Sequence, residues 1–158
     1  MDEIVIPTVQ HTGTRFLVSL FPPGMAKSRH TTAAEMPIIR VLLGEQPGLV
    51  PMRHPARVYA SWARRENTER RKTGLEDQWR NLIALDAEFD LTYFHVDGGN
   101  REMELAKLRV FHKNRQSVTS DWEPVGATAK QNSPITEEMI SAVPAFVLNF
   151  YETIGGTV

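Results

Sequence analysis

Residues 3–21 read EIVIPTVQHTGTRFLVSLF, and this stretch decides the fold. Its first part, residues 3–9, is short and rich in β-branched residues, which is typical of a buried strand. A polar turn with one glycine follows at residues 10–13. Apolar residues then recur at helical spacing, namely Phe16, Leu17, Leu20 and Phe21, before Pro22-Pro23-Gly24. The stretch therefore predicts a strand, a tight turn and a helix that ends at the prolines.

The same alternation of strand and helix continues along the chain. Residues 25–30, 48–53 and 91–96 have strand character, although Pro51 argues against a central position for the second of these. Helices are predicted over residues 33–43, from Ala56 onward, around Trp79, over 101–111 and from Thr136, with a break at Gly74 and a division at Pro144. Residues 112–133 show no regular pattern. Such alternation is typical of βαβ units, so we expect an α/β fold with a mainly parallel sheet flanked by helices on both faces.

Length and composition fit one cytoplasmic domain spanning residues 1–158. The formal net charge of −1 gives no general attraction to nucleic acid or to a membrane surface, so we expect neither partner. The chain contains no cysteine, which excludes disulfides and thiolate metal sites. It has no apolar run of about 18 residues, and its first residues lack a signal-peptide pattern.

The turn after the first predicted strand has the composition of an anion-binding loop. Residues 11–15, His-Thr-Gly-Thr-Arg, lead directly into the helix. Gly13 allows a ligand to approach the backbone closely, and N–H groups at the start of a helix point toward a bound anion. A plain tight turn explains the same residues equally well, and the Gly-Lys-[Ser/Thr] pattern of the Walker loop is absent.

A second candidate for anion binding begins at the end of the third predicted strand. Arg53 ends this strand, and Ser61 follows eight residues later in the next helix. An arginine at a strand end can hold a phosphate with two hydrogen bonds. Ser61 reaches the same anion only if its helix runs past it; the alternative is a surface arginine and an ordinary helical serine. In parallel sheets ligands bind beyond the carboxyl ends of the strands, which here are the loops at 10–15, 30–33, 53–56 and 97–100.

Together the two motifs resemble those of the sulfotransferases that use 3′-phosphoadenosine 5′-phosphosulfate (PAPS), a family with a P-loop-like fold. The family's first loop typically reads Lys-x-Gly-Thr-[Thr/Arg], and residues 11–15 stand in its place. Its 3′-phosphate site runs from an arginine at a strand end to a serine eight residues on, as from Arg53 to Ser61. Its catalytic histidine follows a lysine and a small polar residue, to which residues 27–30, Lys-Ser-Arg-His, are similar with one extra residue. The likeness covers residues 3–62 well and the remainder loosely.

The resemblance implies transfer of a sulfuryl group from PAPS to a hydroxyl or amine of a small molecule or glycan, with no metal. Thr14 and Arg15 would hold the 5′-phosphosulfate with the loop amides, and Arg53 and Ser61 would hold the 3′-phosphate. Phe16 would stack on adenine. The implied catalytic residues are His30, as general base, and His11, in place of the family's loop lysine. The implied nucleotide-binding residues are Thr12, Gly13, Thr14, Arg15, Phe16, Arg53 and Ser61.

Two departures from the family keep other functions open. His11 replaces the loop lysine, and the chain is short for the family, so the late arginine-lysine-glycine clamp is missing unless residues 113–117 substitute for it. A second hypothesis is therefore a non-catalytic module on the same fold that binds a nucleotide or a partner. A third is a P-loop kinase-like phosphotransferase, against which the missing Walker lysine argues. The small size also leaves room for a homo-oligomer in which a second copy completes the acceptor site.

Several other residues carry a structural and a functional interpretation. Asp97, before Gly98, reads as a turn former rather than a metal ligand. His95 is expected to be buried and hydrogen-bonded, and His112 to be exposed. The arginine-rich residues 64–72 form either a solvated helix face or an edge for an acidic acceptor. Trp62, Trp79 and the final aromatic residues are predicted to pack in the core.

Overall fold

The computed structural model describes residues 4–66, 69–98, 100–114 and 134–158, with the backbone alone for residues 66 and 69–73. The strands are β1 (Ile4–Thr8), β2 (Ala26–His30), β3 (Gly48–Met52) and β4 (Leu91–His95). The helices are α1 (Thr14–Ser19), α2 (Met36–Glu45), α3 (Pro55–Glu66), α4 (Glu69–Glu88), α5 (Arg101–Lys113), α6 (Glu137–Ser141) and α7 (Ala145–Thr153).

The strands form one parallel sheet in the order β2-β1-β3-β4. The predicted α/β fold class and parallel sheet are therefore confirmed. After β2 the chain reverses its direction across the sheet, and crossovers of one hand then place α1 and α2 on opposite faces. The reversal leaves a switch point between the carboxyl ends of β1 and β3, which is where open α/β sheets bind ligands.

Along β1, β3 and β4, side chains alternate between two core layers, whereas only Ala26 of β2 belongs to the core. On one face Ile4, Ile6, Leu49 and Phe94 pack against α1 and α5. On the other face Val50, Met52 and Tyr93 pack against α3, α4 and α7, with Trp62 and Trp79 buried among them. The prediction that both tryptophans and the last aromatic residues belong to the core is confirmed. Val5 also lies on this second face and contacts α2.

Prolines interrupt the hydrogen bonding between the two central strands. Met52 accepts from Val96 on the β4 side and Thr8 accepts from Thr31 on the β2 side. Because backbone direction alternates along a strand, Pro51 and Pro7 must both face the β1–β3 seam, where neither has an N–H to donate. Within the described strands the register across this seam is Val5 opposite Gly48 alone, whereas β1 and β2 pair from Ile4–Ala26 to Thr8–His30. Packing on both faces makes Pro51 tolerable in a central strand, contrary to the expectation from its ring.

The outer edge of β4 is covered by side chains of α5. The backbone N–H of His95 donates to Glu104 Oε1 at 2.6 Å, and Lys107 Nζ donates to the carbonyl of Tyr93 at 3.4 Å. Glu104 and Lys107 form an ion pair at 2.8 Å, and Glu104 is 2% exposed. The pair thus satisfies backbone groups that an edge strand otherwise leaves open to other strands.

The long helix α4 differs from the sequence prediction at Gly74. Gly74 does not break the chain, because α4 runs through it from Glu69 to Glu88. The cost of one internal glycine, ~1 kcal/mol, is offset by burial of Leu75, Trp79 and Leu82 on the same helix. The predicted division at Pro144 is confirmed, since it separates α6 from α7.

His112 is buried, at 5% exposure, so the expectation that it is exposed was wrong. Helix α5 continues to Lys113 and places His112 on the same inner face as Leu105 and Leu108. Of the segment predicted to be irregular, residues 115–133 lie outside the described part of the chain. None of the described helices is both long and apolar enough to cross a membrane.

Candidate functional site

A cavity of about 470 Å³ opens at the carboxyl end of the sheet, at the switch point between β1 and β3. Its volume falls in the range typical of small-molecule sites, about 300–1,000 Å³. The lining consists of Gln10, His11, Gly13, Thr14, Arg15, Phe16, Ser28, His30, Arg53, Ser61, Arg65, Val96 and Arg101. Every residue of the implied site except Thr12 belongs to this lining. The structure therefore brings together motifs that are separated along the chain.

The loop after β1 depends on two residues with positive φ. Gly13 has φ 89°, and a Cβ added there would lie 2.7 Å from Val96 Cγ2. Both the backbone conformation and the close approach of Val96 thus require glycine at this position. His11 has φ 64°, which is uncommon for a residue with a side chain.

Threonine hydroxyls hold this loop against the end of β1. Thr8 Oγ1 lies 2.6 Å from Thr14 Oγ1 and 3.1 Å from Thr12 Oγ1. Thr12 also donates to the carbonyl of Val9 at 2.7 Å and is completely buried. Its side chain therefore shapes the loop from inside, while Thr14 reaches the cavity with its hydroxyl already hydrogen-bonded. Because α1 has only six residues, we attribute the positive character of the cavity to side chains rather than to the helix start.

The arginines of the lining are Arg15, Arg53, Arg65 and Arg101. None of them forms an ion pair with a carboxylate among the described residues, and the described lining contains no Asp or Glu. Four of the described arginines outside the lining form ion pairs with carboxylates, among them Arg29–Glu35, Arg40–Glu88 and Arg57–Asp97. The cavity is thus strongly cationic in a chain whose net charge is −1.

Arg53 directly follows β3 and lines the cavity. Burial lowers the pKa of its guanidinium; Asp97 opposes this effect, and the neighbouring cations Arg57, Arg64 and Arg65 add to it. The positive charge of Arg53 is therefore less well stabilised than it is in water. A bound anion would supply the missing stabilisation.

Helix α3 runs past the cavity and presents Ser61 and Arg65 one turn apart. The hydroxyl of Ser61 lies 3.4 Å from Nδ1 of His11. This contact links the loop after β1 to the helix after β3, so the two sequence motifs share one site. Arg65 was considered only as part of a possible edge for an acidic acceptor, not as a residue of the nucleotide site. Its spacing of four residues from Ser61 is a signal that sequence reasoning could have used.

His30 ends β2 and pairs with Thr8 in the register of the sheet. Ser28 and His30 both line the cavity, because they lie on the same face of the strand. Lys27 lies on the opposite face, where its neighbour Arg29 contacts Glu35 of the segment before α2. The extra residue in Lys-Ser-Arg-His therefore places the lysine and the histidine on opposite faces of β2. Two residues before His30, where the family's spacing would put the lysine, this chain has Ser28.

Phe16 is already in contact with two side chains. The guanidinium carbon of Arg101 lies 5.0 Å from the centre of its ring, and Phe94 stacks with it at 6.3 Å and 26°. The implied stacking of adenine on Phe16 thus requires Arg101 to move or to lie between them. No local pattern around Arg101 signals this position, which depends on β4 lying next to β3 in the sheet.

Asp97 joins the loops that follow β3 and β4. Its carboxylate accepts the N–H of His54 at 3.0 Å and a guanidinium N–H of Arg57 at 2.6 Å, and its side chain is 1% exposed. These contacts add a structural role to its interpretation as a turn former. Among the described residues, no group of three or more His, Asp and Glu could hold a metal ion.

A second cavity of about 390 Å³ lies on the other side of these loops and includes His54, His95 and Tyr151 in its lining. His54 and His95 each contact Tyr151 edge to face, at 5.1 and 5.8 Å between ring centres. His95 is buried and its Nε2 lies 3.1 Å from the carbonyl of Ile154, which confirms its predicted burial and hydrogen bond. These contacts fix α7 to the ends of β3 and β4.

No family model, curated protein or solved structure matches the chain. The class of this protein is therefore described from its fold and from the geometry of the cavity. The chain is an α/β protein with a parallel sheet and a cationic cavity at the switch point of that sheet. Of the segment considered as a replacement clamp, residues 115–117 lie outside the described part of the chain.

Proposed function

We propose that the cavity binds PAPS and that the chain is a sulfotransferase with a P-loop-like fold. The observation that carries the proposal is the convergence of Arg15, Arg53, Arg65 and Arg101 without a described carboxylate partner. Unpaired guanidinium groups in a cleft favour a ligand with several anionic groups, because each planar group can give two hydrogen bonds to a phosphate or sulfate. PAPS carries such groups at both ends of its ribose.

The cavity offers two places for anionic groups. Arg53, Ser61 and Arg65 lie along the β3–α3 side and suit the 3′-phosphate. Arg15 and Thr14 lie on the β1–α1 side and suit the 5′-phosphosulfate. His11 lies between them through its contact with Ser61, where a donated N–H would stabilise charge on the bridging oxygen.

The proposed reaction moves the sulfuryl group to an oxygen or nitrogen of the acceptor. The bond from sulfur to the bridging phosphate oxygen breaks as the bond to the acceptor forms, and adenosine 3′,5′-bisphosphate leaves. The acceptor proton passes to His30, an exposed residue at the cavity edge beside Ser28. Positioning and cationic stabilisation supply most of the catalysis that such a transfer needs.

A non-catalytic module that binds the same nucleotide is the second candidate. One observation favours it: Lys27 lies on the face of β2 opposite His30, so it does not place a cation beside the reacting group. His11 would then serve only to connect the loop to Ser61.

Calorimetric titration with adenosine 3′,5′-bisphosphate, with ADP and AMP as controls, tests the nucleotide site. We expect micromolar affinity that depends on the 3′-phosphate. Equal affinity for ADP and the bisphosphate contradicts the assignment. Release of bisphosphate from PAPS in the presence of hydroxyl and amine acceptors then separates the enzyme from the binding module.

A further inference from the structure

We propose that Arg101 controls access to the ring of Phe16: on binding, its guanidinium leaves the ring for an anionic group of the ligand, and the uncovered ring receives an aromatic base. The site would thus select ligands that carry both an anion and a base. The identity of that base as adenine rests on the proposed function, whereas the movement of Arg101 toward an anion does not.

Arg101 is poorly satisfied where it stands. Its Nη1 is buried and has no hydrogen-bond partner among the described residues. Its Nη2 lies 3.5 Å from the carbonyl of Val96, which is long for a hydrogen bond from a charged group. Arg57, by comparison, donates to Asp97 at 2.6 Å. A buried guanidinium nitrogen without an acceptor is unfavourable, so an incoming anion gains hydrogen bonds that the protein does not provide.

Before a ligand binds, the contact between Arg101 and Phe16 holds the guanidinium at the cavity. Arg101 lies over the ring at 5.0 Å, and both residues belong to the lining. A cation–π contact at a partly exposed site is weaker than a hydrogen-bonded pair with a phosphate or sulfate. The anion therefore displaces the contact, and the apolar ring that it leaves behind can stack on a base.

The two parts of a nucleotide then have opposite relations to Arg101. An inorganic anion gains from the guanidinium and does not need the ring. A neutral nucleoside needs the ring and has to displace the guanidinium without offering it a charged partner. Removal of Arg101 should consequently lower the affinity for the inorganic anion and raise the affinity for the neutral nucleoside.

The experiment measures the binding affinity of two ligands for the wild-type chain, Arg101→Ala and Arg64→Ala. Calorimetry gives the affinity for inorganic pyrophosphate, and fluorescence quenching gives the affinity for the neutral base analogue 1,N6-ethenoadenosine. Arg64 is the matched control, because it is an exposed arginine outside the cavity lining. We expect Arg101→Ala to lower the affinity for pyrophosphate by about tenfold, because one charged contact is lost. The same substitution should raise the affinity for the nucleoside. Arg64→Ala should change neither affinity by more than about twofold.

Several outcomes overturn the inference. Weakening of both ligands by Arg101→Ala would mean that Arg101 merely supports the cavity wall, and an unchanged nucleoside affinity would mean that it never covers the ring. Binding of neither ligand to the wild-type chain overturns it as well. Arg101→Lys keeps the charge without the planar group, and we expect it to retain pyrophosphate better than Arg101→Ala. Thermal unfolding of each variant confirms that it is folded.

The result separates this inference from the proposed function. Opposite effects on the two ligands, together with no preference for a 3′-phosphate, support the role of Arg101 and contradict the PAPS site. A clear preference for the 3′-phosphate, with equal effects on the two ligands, supports the PAPS site and contradicts the role of Arg101.

Discussion

The hydroxyl of Ser61 lies 3.4 Å from Nδ1 of His11, although 50 positions separate these residues in the sequence. The contact joins the loop after β1 to the helix after β3 across the switch point of the sheet. Because both residues line the same cavity, a ligand held by one of the two predicted anion-binding motifs is also within reach of the other.

Arg53→Ala should weaken adenosine 3′,5′-bisphosphate by about ten- to hundredfold, since a hydrogen bond to a charged group contributes about 1.5–3 kcal/mol. Its midpoint of thermal unfolding should stay the same or rise, because burial and neighbouring arginines disfavour the charge of Arg53. Calorimetry and thermal unfolding measure the two effects. Arg64→Ala is the control, and an unchanged affinity in Arg53→Ala would contradict the site assignment.

His30→Ala should abolish release of bisphosphate from PAPS while leaving bisphosphate affinity unchanged. A general base contributes about 10²–10⁴-fold to a rate, and His30 is an exposed residue of the lining to which the proposed function assigns no contact with the nucleotide phosphates. Ser28→Ala is the matched control, because Ser28 lies on the same face of β2. Equal turnover in His30→Ala and Ser28→Ala would show that His30 is not the base.

Gly13→Ala should destabilise the chain more than Gly24→Ala. Both glycines have positive φ, 89° and 81°, but an added Cβ meets Val96 at 2.7 Å only at Gly13, whereas no described atom lies within 4 Å of it at Gly24. The strained backbone alone costs about 1 kcal/mol, and the contact with Val96 adds to this at Gly13. Urea unfolding measures the free energy of unfolding of both variants. Adding Val96→Ala to Gly13→Ala removes the close contact and should recover part of the lost stability. If both variants are equally stable, the close approach of Val96 does not matter.

Glu104→Ala should lower the free energy of unfolding by about 2–3 kcal/mol, because it removes the acceptor of a buried N–H. The N–H concerned is that of His95, at 2.6 Å on the outer edge of β4. Glu104→Gln keeps an acceptor oxygen and should lose less. Glu102→Ala, on the exposed side of α5, serves as the control in urea unfolding. Equal losses for Glu104→Ala and Glu102→Ala would mean that the edge does not need this cover.

His54 should make the stability of the chain fall in mild acid. Burial lowers the pKa of His54 in the folded state below its ordinary value of 6.5, with Asp97 opposing and Arg57 adding to the effect. The unfolded chain therefore binds the proton first, so the stability contributed by neutral His54 is complete above pH 6.5 and is lost as the pH falls below it. Neutral Nδ1 also accepts the N–H of Ala56 at 3.1 Å.

Unfolding in urea between pH 7.5 and 5 measures this dependence. His54→Asn retains a side-chain acceptor without titrating in this range, so its stability should change less with pH than that of the wild-type chain. Identical slopes for the two chains would assign the pH dependence to other groups.

Local pattern was sufficient to predict the strands and the division of the last helices. Three strands, β1, β3 and β4, are short segments rich in apolar or β-branched residues, whereas β2 is mostly polar. Pro144 separates α6 from α7, an effect that depends on a single residue. Gly74 and His112 were misjudged because packing on Trp79 and Leu108 outweighs local propensity at these positions. Burial of this kind depends on contacts between distant elements, which periodicity does not report.

The candidate site was predictable where its residues sit in contiguous motifs. Arg53 and Ser61 belong to one strand–helix unit, so their spacing was informative. Arg101 enters the cavity from the first turn of α5, and its contact with Phe16 depends on the order of strands in the sheet. The opposite orientations of Lys27 and His30 follow from simple alternation along a strand, and the sequence could have revealed them once β2 was assigned.

The prolines Pro7 and Pro51 give the sheet a mechanical consequence. Mechanically the sheet consists of two ribbons, β2–β1 and β3–β4, whose common seam has few cross-links at the carboxyl end. Arg15, in the first turn of α1, belongs to one ribbon and Arg53 to the other, so the cavity lies across the seam. A ligand that contacts both arginines connects the two ribbons. It thus provides a link across the seam that backbone hydrogen bonds provide in an uninterrupted sheet.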